Sequence, residues 1–144
     1  QTATPLEIYH RPRTCFVAEF VGESNLVPAV VADAAHGIAE SAVVGACDYQ
    51  PAEGLSDGDE ATLLIRPEHI RLSREPIDGA KTLPMRVETI VNYGDNALVI
   101  GRVGDFQMRV RVLGSDVVSI REGEECCISW RREAVYAIAG RPGP

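Results

Sequence analysis

Ala97-Leu-Val-Ile-Gly-Arg-Val103, then Gly104-Asp105, then Phe106-Gln-Met-Arg-Val-Arg-Val-Leu113, reads as two strands and the turn between them. Gly-Asp is a two-residue hairpin loop in which glycine supplies the positive φ that such turns require. In the second strand Phe106, Met108, Val110 and Val112 point to one side, with Gln107, Arg109 and Arg111 on the other. That period of two marks a sheet with one buried face. Working outward, Met85, Val87, Thr89 and Val91 alternate with Arg86, Glu88 and Ile90 up to a turn at Tyr93-Gly94-Asp95-Asn96. Cys126, Ile128 and Trp130 alternate again, and Val135–Ile138 makes a closing strand. Ala61–Ile65 is a short apolar run of the kind a strand buried on both faces needs, and Ile70–Leu72 can continue it after Pro67. Earlier still, Val27–Ala32 and Ala42–Ala46 flank Asp33–Ser41, which contains His36-Gly37, and look like a hairpin. Eight or nine short strands at regular spacing predict an antiparallel barrel or sandwich without crossover helices. No convincing internal repeat is visible in the residues.

Only the first two dozen residues read as helical. Thr4-Pro5-Leu6-Glu7 is a capping box with proline at the first helical position, and Pro12 ends that helix. Thr14 can cap a second, whose apolar face is Phe16, Val17, Phe20 and Val21, with Gly22 closing it. Two such short helices need a partner surface. The first residue is Gln, which reads as a fragment or a processed product. Residues 48–60 form an acidic loop rich in turn formers, 73–82 a second loop, and 140–144 a tail expected to be disordered.

Composition bounds the chemistry. The 144 residues carry 14 basic and 21 acidic side chains, a net charge of −7. Ten acids against two arginines lie in residues 1–60, whereas residues 61–144 balance eleven acids with eleven arginines and Lys81. No basic stripe offers the footprint for nucleic acid, and no apolar run reaches the length of a membrane span. Cys15, Cys47, Cys126 and Cys127 lack a CxxC spacing and read as buried thiols, with Cys126 and Cys127 on opposite strand faces. His10, His36 and His69 show no metal spacing. No GxSxG elbow and no GxxxxGK[ST] cradle occur, so no catalytic, cofactor-binding or metal residues are assigned. Arg102, Arg109 and Arg111 form a basic patch on the β hairpin, which either meets an anion or acidic partner or is a solvated face balanced by neighbouring acids. Trp130 is either a stacking platform or a core or interface residue.

Two segments resemble one family. Residues 3–26 match, at Thr4, Pro5, Glu7, Ile8, Tyr9, Arg11, Pro12, Phe16, Val17, Ala18, Phe20, Gly22 and Asn25, the pattern that ends the ATPase domain in ATP-binding subunits of ABC importers. Ile65-Arg66-Pro67-Glu68-His69-Ile70 is similar to the RPE-x-I signature of the accessory (TOBE, OB-like) β domain of these subunits. Tyr93-Gly94 and Ile128-Ser129-Trp130 with Glu133-Ala134-Val135 are similar to its closing strands. The likeness is greatest to the polyamine or iron importer type, with sugar importers close.

The resemblance implies residues 1–23 as the tail of an ATPase domain, 24–139 as an OB-like regulatory barrel, and 140–144 as a disordered tail. It implies a non-catalytic domain that pairs with its twin, inside a parent that uses ATP and Mg and works with permease subunits at the inner, cytoplasmic face of the membrane. Arg66, Pro67 and Glu68 then hold an architectural role: Pro67 fixes the backbone where the strand leaves the sheet. The last 60 residues are also similar to molybdate-binding domains of the same barrel type, although the serine-alanine-arginine-asparagine stretch expected at that anion site is missing. A small-anion binding module is therefore the alternative, and oligonucleotide binding has too few exposed aromatic residues.

Overall fold

A computed structural model describes residues 24–51, 53–77, 79, 81–113 and 120–141. The two helices expected before residue 24 lie outside the described residues, as do residues 142–144. The described residues form ten strands and two single-turn 3₁₀ helices. These are β1 (Asn25–Asp33), β2 (Ile38–Ser41), β3 (Gly45–Asp48), β4 (Glu60–Ile65), η1 (Pro67–His69), β5 (Arg71–Ser73), β6 (Leu83–Asn92), β7 (Asn96–Val103), β8 (Phe106–Leu113), β9 (Glu125–Ser129), η2 (Arg132–Ala134) and β10 (Val135–Ala139). The fold is mainly β and OB-like, as expected. One difference lies at Asp33–Ser41, read as the connection of a hairpin between Val27–Ala32 and Ala42–Ala46: its second half is strand β2, which pairs with β1 on one side and β3 on the other, Ile38 and Ala39 standing opposite Asp48 and Cys47. Four residues are too few for alternation to show.

The chain divides into two compact units, one ending at Ile65 and resuming at Arg132, the other running from Arg66 to Arg131. The first holds an antiparallel sheet in the order β10-β4-β1-β2-β3. Val27, Ala29 and Val31 alternate inward on β1. Every β4 residue after Glu60 is buried, so the apolar run does serve a strand covered on both faces. On its second face Leu64 and Ile138 pack with Leu26 and Tyr136. Beyond β3, the Gln50 N–H donates to the Val135 carbonyl at 3.0 Å and links the two edges of the sheet. Gly140 and Arg141, expected in a tail, are held: the Gly140 N–H donates to the Glu60 carbonyl, and Arg141 forks onto the Glu60 carboxylate at 2.8 and 2.9 Å.

The second unit holds the order β5-β9-β6-β7-β8, and its edge strands β5 and β8 approach one another. The hairpin read from residues 97–113 has its expected bounds, with Val99 opposite Val110 and Val103 opposite Phe106. Met85 and Val87 are buried as the alternation requires, but the pattern then slips, because the register shifts between Val87 and Thr89. A bulge inserts one residue and turns the following side chains to the other face.

The two sheets share one plan that the sequence reading missed. Each has a three-strand meander, a fourth strand paired with the first, a 3₁₀ turn, and a fifth strand paired with the fourth. Residues 55–70 (LSDGDEATLLIRPEHI) correspond to 120–135 (IREGEECCISWRREAV), with identity at Gly58/Gly123, Glu60/Glu125, Arg66/Arg131 and Glu68/Glu133. Their turns are bonded alike. The Gly58 N–H reaches the Val31 carbonyl as that of Gly123 reaches Val87, both at 2.8 Å. The Val31 N–H reaches the Asp59 carbonyl as that of Val87 reaches Glu124. Ser56 and Arg121 each donate a backbone N–H to the acid three residues on, Asp59 or Glu124. Both glycines have φ near +90°, at 88° and 90°. The register shifts also begin at Val31 and Val87. The fifth strands, however, are exchanged: β5 follows β4 in the chain but pairs with β9, whereas β10 follows β9 and pairs with β4.

Two predictions follow from the second unit. A Cβ added to Gly101 would lie 2.6 Å from the Arg86 carbonyl and 2.8 Å from Met85 Cγ. Gly101→Ala should therefore cost about 1–3 kcal/mol by urea unfolding, more than Gly104→Ala, whose site is open and costs roughly 1 kcal/mol of backbone strain. Equal losses would show that β6 and β7 yield freely. Burial lifts the Cys126 thiol from 9.0 to about 11, with Cys127 and Glu124 adding smaller effects. Because the folded state holds this proton more tightly than the unfolded chain, stability present below pH 9 is lost as pH rises toward 11. The loss is about 2–3 kcal/mol across that window. Cys126→Ala should flatten the alkaline slope in denaturant titrations at pH 8 to 11; an unchanged slope would place its origin elsewhere.

Candidate functional site

The segment Arg66–Ile70 opens the second unit. Arg66 is extended at φ −77° and ψ 141°, Pro67 begins η1 with the φ that a helical turn requires, and the His69 N–H returns to the Arg66 carbonyl at 3.0 Å. Proline has no N–H to satisfy at that position, so the turn starts there without loss. The signature divides by depth: Arg66 is 5% exposed and Pro67 is buried, whereas Glu68 faces solvent. η1 lies against β8, the strand carrying Arg109 and Arg111. The signature and the arginine strand, far apart in sequence, are thus neighbours.

Arg102, Arg109 and Arg111 share the outward face of β7 and β8 without forming one cluster. Arg102 stands opposite Gln107 and Arg86, donates to Glu88 at 3.2 Å, and caps the hairpin turn through the Asp105 carbonyl at 2.8 Å. Arg109 and Arg111 stand opposite Ile100 and Leu98. Both arginines are half-buried and Leu98 is 5% exposed, so this half of the face is not a simple solvated one. The Arg111 guanidinium donates to Asn96 Oδ1 at 2.6 Å and sits 5.8 Å from the centre of the Tyr93 ring. A guanidinium held by an amide and an aromatic face is oriented in advance for a carboxylate or another oxyanion. Trp130 is half-buried at the end of β9, one residue beyond Ser129, which pairs with Arg71 of β5. The expected patch is therefore split between a hairpin-capping Arg102 and an apolar-flanked Arg109 and Arg111.

The corresponding turn of the first unit has a different chemistry. Arg132 of η2 donates to the His36 carbonyl at 2.8 Å and lies 3.6 Å from Asp48. His36 Nδ1 meets Asp33 Oδ2 at 2.8 Å, and this hydrogen bond holds the Asp33 carboxyl below its ordinary value. Arg141 does the same for Glu60. Burial raises the Tyr49 hydroxyl, with Asp57 and Asp33 adding to it, and that hydroxyl has no hydrogen-bond partner among the described residues. Cys47 and Cys126 are buried thiols, as expected, and Cys127 is half-exposed; Cys15 lies outside the described residues. Among the described residues no group of three histidines, cysteines or carboxylates stands ready for a metal ion, and no helix is long and apolar enough to cross a membrane. Tyr93, which sequence reasoning used as a turn marker and as part of the family resemblance, proves to be an exposed partner of Arg111. A tyrosine just before a Gly-Asp turn was the signal available.

Comparison with known proteins sets this geometry in a family. A TOBE domain model matches residues 63–138, from the middle of β4 to β10. The chain is 36% identical to the spermidine/putrescine import ATP-binding protein PotA of Pseudomonas fluorescens, over 73% of its own length and 28% of that protein. It is 43% identical to the sulfate/thiosulfate import ATP-binding protein CysA 2 of Chromobacterium violaceum, over 62% of the chain and 23% of that protein. With PotA of Frankia alni it shares 32% identity over 96% of the chain and 33% of that protein. The chain thus spans about a quarter to a third of the curated relatives it matches. Among solved structures, the cytoplasmic molybdate-binding protein ModG with molybdate bound has the same fold, at a TM-score of 0.67 and 15% identity over 78% of this chain and 94% of that one. By the match across β4 to β10, and by relatives that are ATP-binding subunits of importers, the chain belongs to the TOBE-domain family.

Proposed function

We propose that this chain is the regulatory and dimerisation part of the ATP-binding subunit of an ABC importer, of the polyamine or iron type, and that it has no catalytic activity of its own. The TOBE match over residues 63–138, together with PotA relatives aligned over 73% and 96% of the chain, carries this reading. Arg66, Pro67 and Glu68 act as an architectural joint in which Pro67 sets the turn and buried Arg66 anchors it. The parent subunit uses ATP and Mg through a domain outside the chain. It works with permease subunits at the cytoplasmic face of the membrane, without nucleic acid and without inserting into the bilayer itself.

A second reading has one observation in its favour: the fold shared with molybdate-bound ModG. Under it, the chain would bind a small oxyanion. The outward guanidinium of Arg111, steadied by Asn96, is the group best arranged to take part.

Phosphate release and calorimetry separate the two. The purified chain with ATP and Mg should release phosphate no faster than buffer, and titration with molybdate or sulfate should give no saturable heat. Hydrolysis above the buffer blank would end the non-catalytic reading. Saturable molybdate heat that Arg111→Ala abolishes would favour the oxyanion reading instead.

A further inference from the structure

Val30 of β1 stands out in solvent at 45% exposure, a large apolar side chain on the outer face of the first unit's sheet. Pro28 and Ala32, the neighbouring outward positions on β1, are exposed too, and half-buried Ile38 lies on the same face of β2. The outer face of an antiparallel sheet is ordinarily polar, and this stretch is not. Glu40 of β2 stands directly opposite Val30. The turn at residues 57–59 borders the same part of β1: the Gly58 N–H donates to the Val31 carbonyl at 2.8 Å, and the Val31 N–H to the Asp59 carbonyl at 2.9 Å. The described residues of this unit carry eight carboxylates and two arginines. Both arginines are engaged, Arg132 beside Asp48 at 3.6 Å and Arg141 on Glu60 at 2.8 Å, and His36 meets Asp33. Glu40, Glu53, Asp57, Asp59 and Glu133 are left with no cation beside them among the described residues. Asp57 and Asp59 accept the backbone N–H groups of Ala34 and Ser56, which fix the carboxylates without cancelling their charge.

We propose that this face seats an amphipathic helix of another protein, its apolar stripe over Val30 and its lysines or arginines beside Glu40 and the 57–59 turn. Apolar contact at the centre with a polar, charged rim is the ordinary anatomy of a specific interface. A helix suits the site better than an added strand, because β1 is paired along both edges, by β2 and β4, and offers only its side chains. Charge selects the partner. A basic surface is drawn to these uncancelled carboxylates and an acidic one is repelled. A second copy presenting the same face would bring the same acids to the contact, a like-charge opposition that disfavours self-pairing here. Only residues of the first unit take part, so the site stands whether or not the chain dimerises. The rim charges make the association salt-sensitive, because exposed pairs are screened beyond about 10 Å at 0.1 M salt.

Fluorescence anisotropy with the whole 144-residue chain tests this, using labelled peptides as the probes. Each peptide has about 18 residues, enough to form a helix. One places leucine at helical spacing with lysine elsewhere; the second replaces lysine by glutamate, and the third replaces leucine by serine. The leucine–lysine peptide should bind saturably at 50 mM NaCl, at least tenfold tighter than either of the others, and should weaken at 500 mM. Val30→Lys and Glu40→Lys should each weaken it about tenfold or more. Val30→Ser, which adds no charge, should weaken it in the same direction and serves if the lysine variant fails to fold. Glu53→Lys, an equal change of net charge outside β1 and β2, should leave binding within about threefold. Absence of saturable binding, equal binding of the glutamate or serine peptide, or a loss on Glu53→Lys as large as on Glu40→Lys would overturn the site. Self-association in sedimentation that Val30→Lys abolishes would give the face to a second copy and overturn it as well.

Discussion

Neither sheet is completed by its own continuous stretch of chain. β4 finds its outer partner in β10, from Val135 opposite Ile65 to Ala139 opposite Ala61, and β9 finds its partner in β5, from Arg71 opposite Ser129 to Ser73 opposite Cys127. Without these ladders β4 and β9 would be edge strands with open rows of backbone donors and acceptors. For β4 the exposure would be costly, because Ala61 to Ile65 are buried on both faces. The 3₁₀ turns η1 and η2 follow from the same need. Each redirects the chain, within three residues, out of one sheet and into the other. The Arg-Pro-Glu signature is one of the two turns, which gives a family motif a mechanical meaning.

How much of this was legible depended on the length of each periodic run. β6, β7 and β8 are eight to ten residues long and β8 alternates cleanly, so the hairpin, its Gly104-Asp105 turn and the inward row of Met108, Val110 and Val112 could be read directly. β2 and β5, at four and three residues, left no period to detect. The doubling was invisible for another reason. Hydrogen bonds of the backbone preserve it, at Gly58 and Gly123 and at Val31 and Val87, while side chains at corresponding places have diverged, as in Ile65 and Trp130 or Pro67 and Arg132.

The candidate site was legible as residue types and not as an arrangement. Arg109 and Arg111 were correctly placed on one outward face, yet alternation could not show that this face also carries a buried Leu98. Nor could it show that η1 settles against β8, since their proximity depends on the sheet's curl. The bulge after Val87 matters here. By shifting the phase of β6 it places Thr89, whose odd number would have put it inward with Met85 and Val87, opposite outward-facing Ile100.

The exchange of fifth strands bears on how the chain is made. Synthesis runs from the N-terminus, so β1 to β4 leave the ribosome well before Val135–Ala139 exist. Through that interval β4 keeps an apolar edge with nothing to pair against. The second unit suffers no such delay, since β5 is made before the strands it joins and waits for β9. The first sheet to begin is therefore the last to close, and Arg141 locks onto Glu60 only as β10 arrives. Pairing at such sequence distance is slow and leaves unfinished edges open to wrong partners. For the first unit, the vulnerable moment is the wait before its last strand.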